Sequence, residues 1–369
     1  VALSLAACMS GSLADRFGKV THLSSRQGTF ADQAAGASAP SKDSRAGAPR
    51  RRIRLLNSFD DEYVIGKEVM ASTHSYMEVR FATRKSDGAQ AVVKLRFKPK
   101  CFRNREDEKS WRFNTEFLLN VPETLGVARL LDVIEDDKAF YVVMERVGGS
   151  DLYETLEQEG AVAPAAAQEV LRQLLSSVAH LHRHNAVHKD LKLENVMLDS
   201  SNGTKAVPPS AVKVIDFDTL EAWSPAASRA KDVVGTDQYI AQEAYGGKYS
   251  PLSDIFSIGV IAYRLLTGKF PFHDDMFDDE AGENWVGSPK MAQIRKRLKA
   301  ARVDFSQQVF RDSPQACDLV SRMIASCESH RPSAAVALSH AWLQEDSGAS
   351  SSALRSALGP RPEEDLVDD

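Results

Sequence analysis

One segment constrains this chain more than any other: His188-Lys189-Asp190-Leu191-Lys192-Leu193-Glu194-Asn195, followed further on by Asp216-Phe217-Asp218. Phosphoryl transfer needs a carboxylate near the attacking hydroxyl, a cation near the moving phosphoryl group and oxygen ligands for Mg²⁺. Asp190, Lys192 and the pair Asn195 with Asp216 supply these in that order. An isolated Asp-x-Lys-x-x-Asn arises by chance. Chance does not also supply an upstream strand lysine, the acidic triplet and a downstream apolar helix.

The rest of the chain is compatible with such a site. At 369 residues and 43% hydrophobic content it can hold one large domain or two ordinary ones with a real core. A net charge of -5 gives no reason to expect nucleic acid as a partner. The four cysteines, Cys8, Cys101, Cys317 and Cys327, lack ligand spacing, as free thiols in a reducing compartment do. No apolar run reaches the length of a bilayer span, so the expectation is a soluble, cytoplasmic protein without a transmembrane segment. The first residue is Val1, which suggests a fragment or a processed form, with Met9 as an alternative start. Residues 1–58 are rich in Ala, Ser and Gly and end in Arg50-Arg51-Arg52-Ile53-Arg54. That composition predicts a disordered segment, with organelle targeting as the alternative. The arginine cluster reads as a solvated run.

Alternation from Tyr63 to Phe97 predicts strands over Tyr63 to Ile65, Met77 to Phe81 and Ala91 to Leu95, with a turn at Ser86-Asp87-Gly88. Lys94 lies in the third, among apolar neighbours where a charge requires a partner. Val127 to Ile134 and Ala139 to Met144 read as two further strands. Ala165 to His184 is helical by its spacing of Val170, Leu171, Leu174, Leu175, Val178 and Leu181, with Asn185 as C-cap. His182 and His184 have no acidic partner at metal-ligand spacing and read as structural. Asp254 to Leu266 is apolar nearly all round and capped by Gly268, the pattern of a buried core helix. The run Asp274, Asp275, Asp278, Asp279, Glu280 lacks the order of a calcium loop and reads as solvated surface.

With these elements around it, the opening segment resembles the catalytic loop of eukaryotic protein kinases, and Asp216-Phe217-Asp218 resembles their metal-binding Asp-Phe-Gly. The likeness runs from about Tyr63 to Leu343. It is nearest to the catalytic domains of calcium/calmodulin-dependent and plant- and protist-type calcium-dependent kinases, and no calcium-binding helix-loop-helix follows Leu343 in this sequence. The resemblance implies an α+β, bilobal fold: a small antiparallel-sheet lobe (59–144), a hinge (145–150) and a large helical lobe (151–343), ahead of a disordered acidic tail (344–369).

It also implies roles. ATP and Mg²⁺ would serve phosphorylation of Ser or Thr in protein substrates, with Asp190 as base and Lys192 stabilising the phosphoryl group. Lys94 would hold the α- and β-phosphates, and Asn195 and Asp216 would hold the metal. Adenine would lie against Val79, Met144 and Met197 and bond the backbone of Glu145 and Val147, with Asp151 reaching the ribose or a basic substrate side chain. Glu116 is the expected helix partner of Lys94; Glu106, Glu108 or no pair at all are the alternatives. Thr236 beside Lys192 matches the serine/threonine arrangement. Asp254 would hold the catalytic-loop backbone, and Arg331 would pair with Glu243. Ser224 and Ser228 are possible phosphorylation sites, and the upstream regulator is not readable.

Several positions depart from the family pattern. Ser72, His74 and Met77 stand where glycines would let backbone amides approach phosphate, and Val92 stands for a small alanine. Lys189 replaces an arginine, Asp218 a glycine and Gln242 a proline. These departures carry the alternative reading of a pseudokinase, a nucleotide-binding or scaffolding module without turnover. Asp151 and Glu194, with the 274–280 run, predict a preference for basic residues upstream of the acceptor.

Overall fold

Alternating apolar residues build one sheet, and the wide apolar stripes build a helical layer beneath it. The computed structural model describes residues 50–70, 76–98, 100–199, 212–280 and 282–344. Of the residues expected to form a phosphate-binding loop, Ser72 and His74 lie outside the described residues, as do most of the polar insertion expected from Asp199 to Pro209, residues 1–49 and the tail from 345.

The sheet contains β1 (Arg54–Leu55), β2 (Tyr63–Met70), β3 (Met77–Arg84), β4 (Gln90–Phe97), β5 (Leu130–Glu135) and β6 (Ala139–Glu145), in the order β1-β5-β6-β4-β3-β2. All neighbours are antiparallel except β1, which runs parallel to β5. Its core is Phe59, Tyr63, Ala91, Val93, Leu95, Ile134, Tyr141 and Val143, with Phe59 stacked on Tyr63 and Tyr141 at 4.9 and 4.2 Å.

The edge strand β1 corrects the expected tail. Residues 50–58 are built into the small lobe: Leu56 donates to Glu135 O (3.0 Å), Ile53 packs near Leu119 and Val133, and Arg51 caps the Leu130 and Leu131 carbonyls. Arg54 pairs with Glu62 and Asp132. Carbonyls and carboxylates from distant parts of the chain satisfy these arginines, and local composition holds no sign of that.

Helix α1 (Arg105–Leu119) begins at Asn104, whose side chain accepts from Glu106 N and Asp107 N. It crosses the sheet through Trp111, 4.9 Å from Phe140, and through Arg112, which forks onto Glu135 at 2.7 and 2.8 Å.

The larger layer is built on α2 (Leu152–Glu159), α3 (Pro164–Arg183) and α4 (Pro251–Thr267). In α3 the predicted stripe Leu171, Leu174, Leu175, Val178 and Leu181 is fully buried. Helix α4 is buried on all sides, starts at the Ser250 capping box and stops at Gly268 (φ 70°). Among the described residues no helix is long and apolar enough to cross a membrane. Arg331 donates to both carboxylate oxygens of Glu243 (2.6 and 2.9 Å), tying the C-terminal helices to the segment before α4.

Candidate active site

Four backbone devices hold the loop that carries Asp190. Strand β7 (Ala186–Val187) pairs antiparallel with the short strand Glu221–Ala222, joining the loop's entrance to the segment after Asp216. Buried Asp254, in the first turn of α4, accepts from His188 N and Lys189 N, both at 2.9 Å. Its other neighbour is His182, with Nε2 at 2.9 Å. Burial alone would raise the Asp254 carboxyl, but the His182 hydrogen bond and the nearby His188 bring it below the ordinary range. Thr219 Oγ1 donates to His188 O (2.7 Å), and Trp223 N to Asn185 O (2.7 Å).

Backbone strain gathers at this point. The described non-glycine residues with positive φ are Asn185, Lys189 and Asp216, and two of the three flank the reacting centre. Gly235 approaches the same loop: a Cβ there would fall 2.8 Å from Lys189 O, and its φ is 113°. Glycine is therefore required where the following segment crosses the loop, and this crossing delivers Thr236.

Asp190 is the centre of a small polar network. Thr236 Oγ1 donates to Asp190 Oδ1 (2.8 Å), and Lys192 Nζ donates to Thr236 Oγ1 (3.1 Å) while lying 3.7 Å from Asp190 Oδ2. Asn195 Nδ2 donates to Asp190 O (2.8 Å). The structure thus brings Asp190, Lys192, Asn195 and Thr236 together. Lys189 is turned away, paired with Glu221 and 4.7 Å from the Tyr249 ring centre.

Lys94 reaches across from β4. Its Nζ lies 2.8 Å from Asp216 Oδ1 and 2.7 Å from Asp218 Oδ2. Burial would lower the ammonium, but the two carboxylates outweigh it and hold Lys94 above its ordinary range. Asp218 also takes Arg96 Nη2 at 2.8 Å. Burial would raise Asp218, yet Arg96 and Lys94 hold it well below the usual carboxylate range.

The expected partner of Lys94 is not there. Glu116 accepts from Ile53 N (3.3 Å) and lies 3.9 Å from Arg52, while Glu108 pairs with Arg112. Glu116 falls in the closing turns of α1, facing the segment at residues 52–53 that leads into β1. The side chains that α1 presents to the sheet include Trp111, Arg112, Leu118 and Leu119, none of them a carboxylate.

The residues expected around adenine occupy adjoining positions. Val79 pairs with Lys94 across β3 and β4, and Val92 with Met144 across β4 and β6. Met197 lies in β8 (Val196–Leu198) and bridges to Asp151. All four apolar side chains are only partly buried. Met77, the third position expected to lack its glycine, opens β3 opposite Arg96. The Glu145 side chain is occupied by buried Lys213 and accepts from Arg129 N (3.1 Å). Val147 lies two residues past the end of β6, where the chain has left the sheet.

Asp151 caps α2, accepting from Glu154 N at 2.8 Å. Burial, followed by the charges of Glu154 and Glu194, pushes its carboxyl up to about 7 against the Glu154 amide bond. Glu194 Oε2 is buried without a hydrogen-bond partner. The run at 274–280 is less negative than it reads, because Asp278 pairs with Arg297 and Lys290.

For a metal, the donor chemistry is suitable. Asn195 spends its amide nitrogen on Asp190, and Asp216 takes its described hydrogen bonds on Oδ1. Asn195 Oδ1 and Asp216 Oδ2 remain as the hard oxygen donors that Mg²⁺ prefers.

Sequence reasoning missed Arg96, Glu221 and Lys213. Arg96 had a signal: two residues beyond Lys94 on a strand, it projects from the same face.

Comparison with known proteins identifies the family. Residues 75–343 match the protein kinase domain family. The chain is similar to calcium-dependent protein kinase 17 of Arabidopsis thaliana, 31% identical over 309 residues that cover 84% of this chain and 54% of that protein. It is 30% identical over 271 residues to calcium-dependent protein kinase 4 of Plasmodium falciparum, covering 73% of this chain and 47% of that protein. It is 27% identical over 310 residues to the hormonally up-regulated neu tumor-associated kinase of Homo sapiens, covering 82% of this chain and 40% of that protein. The chain spans about half the length of the curated relatives it matches.

Proposed function

The chain belongs to the protein kinase family, and from that premise we propose that it transfers the γ-phosphoryl group of ATP to serine or threonine in protein substrates. The observation that carries this reading is the Asp190 network: one carboxylate oxygen is aimed by Thr236, and Lys192 stands 3.7 Å from the other. Asp190 orients the acceptor hydroxyl and takes its proton; Lys192 stabilises charge on the phosphoryl group as it moves. Lys94 holds the α- and β-phosphates, with Val79, Met144 and Met197 as the apolar surfaces for adenine and the Glu145 and Val147 backbone as its hydrogen-bonding edge. Asn195 and Asp216 would hold Mg²⁺, which neutralises phosphate charge when bound. The domain responsible comprises residues 59–343, joined to the stretch from residue 50 by β1.

The substrates in this reading carry arginine shortly before the acceptor. Asp151 and Glu194 lie close enough for their charges to interact, and the unpartnered Glu194 oxygen is suited to a guanidinium. The acidic run contributes less, since Lys290 and Arg297 neutralise part of it.

The competing reading, a nucleotide-binding scaffold without turnover, is favoured by one observation: Lys94 is already engaged by two carboxylates. Phosphate incorporation into basic peptides with Mg·ATP separates the two. Asp190→Asn should lower the rate by at least ~10²-fold, the scale of a positioned acid/base group. Nucleotide binding with no incorporation by the wild type would overturn turnover, and equal rates for wild type and Asp190→Asn would overturn the role of Asp190.

A further inference from the structure

Asp218, a departure from the family pattern, meets Lys94 and its strand neighbour Arg96 in space. Arg96 projects from the same face of β4 as Lys94, and Asp218 stands where a glycine is usual. Asp218 divides its carboxylate between them: Oδ2 to Lys94 at 2.7 Å and Oδ1 to Arg96 at 2.8 Å. Lys94 and Arg96 are both buried, at 7% and 8% exposure, so neither charge can be left to solvent. Arg96 is packed against Trp111, 5.7 Å from its ring centre, on the helix that lacks a carboxylate for Lys94. Its Nε is buried without a hydrogen-bond partner, and among the described residues Asp218 and the Trp111 face are its ion-pair and cation–π contacts.

We propose that Asp218, held in turn by Arg96, is the positioning residue for Lys94, replacing the helix glutamate. The two buried cations and the two carboxylates Asp216 and Asp218 balance. Without Asp218 the two cations share one carboxylate, Asp216. Arg96 would then compete with the metal for the oxygens of Asp216, and Lys94 would lose the contact that fixes its distance from the phosphates. In this arrangement the segment carrying Asp216 sets the position of Lys94 directly. Helix α1 contributes only through Trp111, because Glu116 and Arg112 are committed to Arg52 and Glu135.

The inference rests on the kinase reading, and direct nucleotide binding tests the two separately. Titration calorimetry with Mg·ADP on the full chain should show affinity lowered ~10-fold or more in Asp218→Gly and Asp218→Asn, the worth of a hydrogen bond to a charged group. Glu116→Ala should stay within about twofold of wild type, far below that value. Since a buried Arg96 without its partner would itself destabilise the fold, the double variant Arg96→Leu, Asp218→Gly is included. Removing both buried charges restores thermal stability toward wild type. It does not restore nucleotide affinity if Asp218 positions Lys94; recovery of affinity along with stability would show a purely structural pair and overturn the proposal. Unchanged or tighter binding in Asp218→Gly would also overturn it. A wild type that binds no Mg·ADP would overturn the kinase reading itself, and this inference with it.

Discussion

Thr236 Oγ1 donates to Asp190 Oδ1 at 2.8 Å and accepts from Lys192 Nζ at 3.1 Å, so one hydroxyl joins the carboxylate to the ammonium. Its position depends on Gly235, the residue that passes the Lys189 carbonyl too closely for a side chain. Thr236→Val keeps the shape and removes both bonds. We expect kcat to fall about 10- to 100-fold, the worth of one hydrogen bond to a charged group, with nucleotide affinity unchanged. Thr236→Ser should stay within a few-fold of wild type. Steady-state kinetics on a basic peptide reads both; a Val variant with wild-type kcat would place Thr236 outside the working network.

How far the site is legible in the sequence follows from the range of the interactions that make it. Strands β3 and β4 and helix α3 show their period directly, so the strand that holds Lys94 and the Leu171 to Leu181 stripe are found from local pattern, while Val79 follows from the resemblance. The catalytic loop is contiguous, so Asp190, Lys192 and Asn195 come as one unit, and the geometry brings them together. Glu116 shows where this stops. Spacing gives several carboxylates on α1 but not whether any of them faces β4, and Glu116 meets Ile53 N and Arg52 instead. Arg51 is satisfied by carbonyls about eighty residues away and Arg54 by Glu62 and the distant Asp132, so their run reads as tail although it leads into an edge strand. Asp218 reads as a defect until Arg96 is seen beside it.

The edge strand can be weighed by truncation. A chain starting at residue 50 keeps Arg51, Ile53 and Leu56 on the sheet, whereas one starting at residue 58 loses them. The longer form should be more stable by ~2 kcal/mol or more, from the lost hydrogen bonds and the apolar area of Ile53 and Leu56. Chemical denaturation of the two forms measures the difference. Equal midpoints would mean that β1 adds nothing to the small lobe.

Arg331 and Glu243 test the large lobe. The Arg331 side chain is fully buried and also donates to the Ala325 and Leu252 carbonyls (2.8 and 3.0 Å), so removing the arginine strands a buried carboxylate. Arg331→Ala should destabilise by about 3–5 kcal/mol. Arg331→Met with Glu243→Leu should recover much of that, because replacing both partners leaves no charge unpaired. A thermal-denaturation cycle reads the coupling, and additive losses would mean that the pair is not the source.

The last prediction concerns pH and rests on Asp151. Its carboxyl is pushed up to about 7, by burial first and then by Glu154 and Glu194, whereas in the unfolded chain it titrates near the ordinary value of about 4. The folded state therefore holds a proton that the unfolded state has released across that window. The stability it contributes is complete below pH ~4 and is lost as pH rises through about 7. Asp237, pushed up to about 6 by burial and by the charge of Asp279, adds a second loss of the same sign. Asp151→Asn keeps a side chain that caps α2 well, so it should flatten the part of the slope between pH ~4 and about 7 that Asp151 causes, leaving that of Asp237. Substrate binding should respond in the opposite direction. Arginine before the acceptor pairs with the ionised Asp151, so KM for such a peptide should fall between pH 6 and pH 8, relative to a peptide with alanine there. In Asp151→Asn that pH dependence should disappear. A wild-type arginine preference independent of pH, together with an unchanged stability slope in the variant, would remove Asp151 from both roles and leave it a helix cap alone.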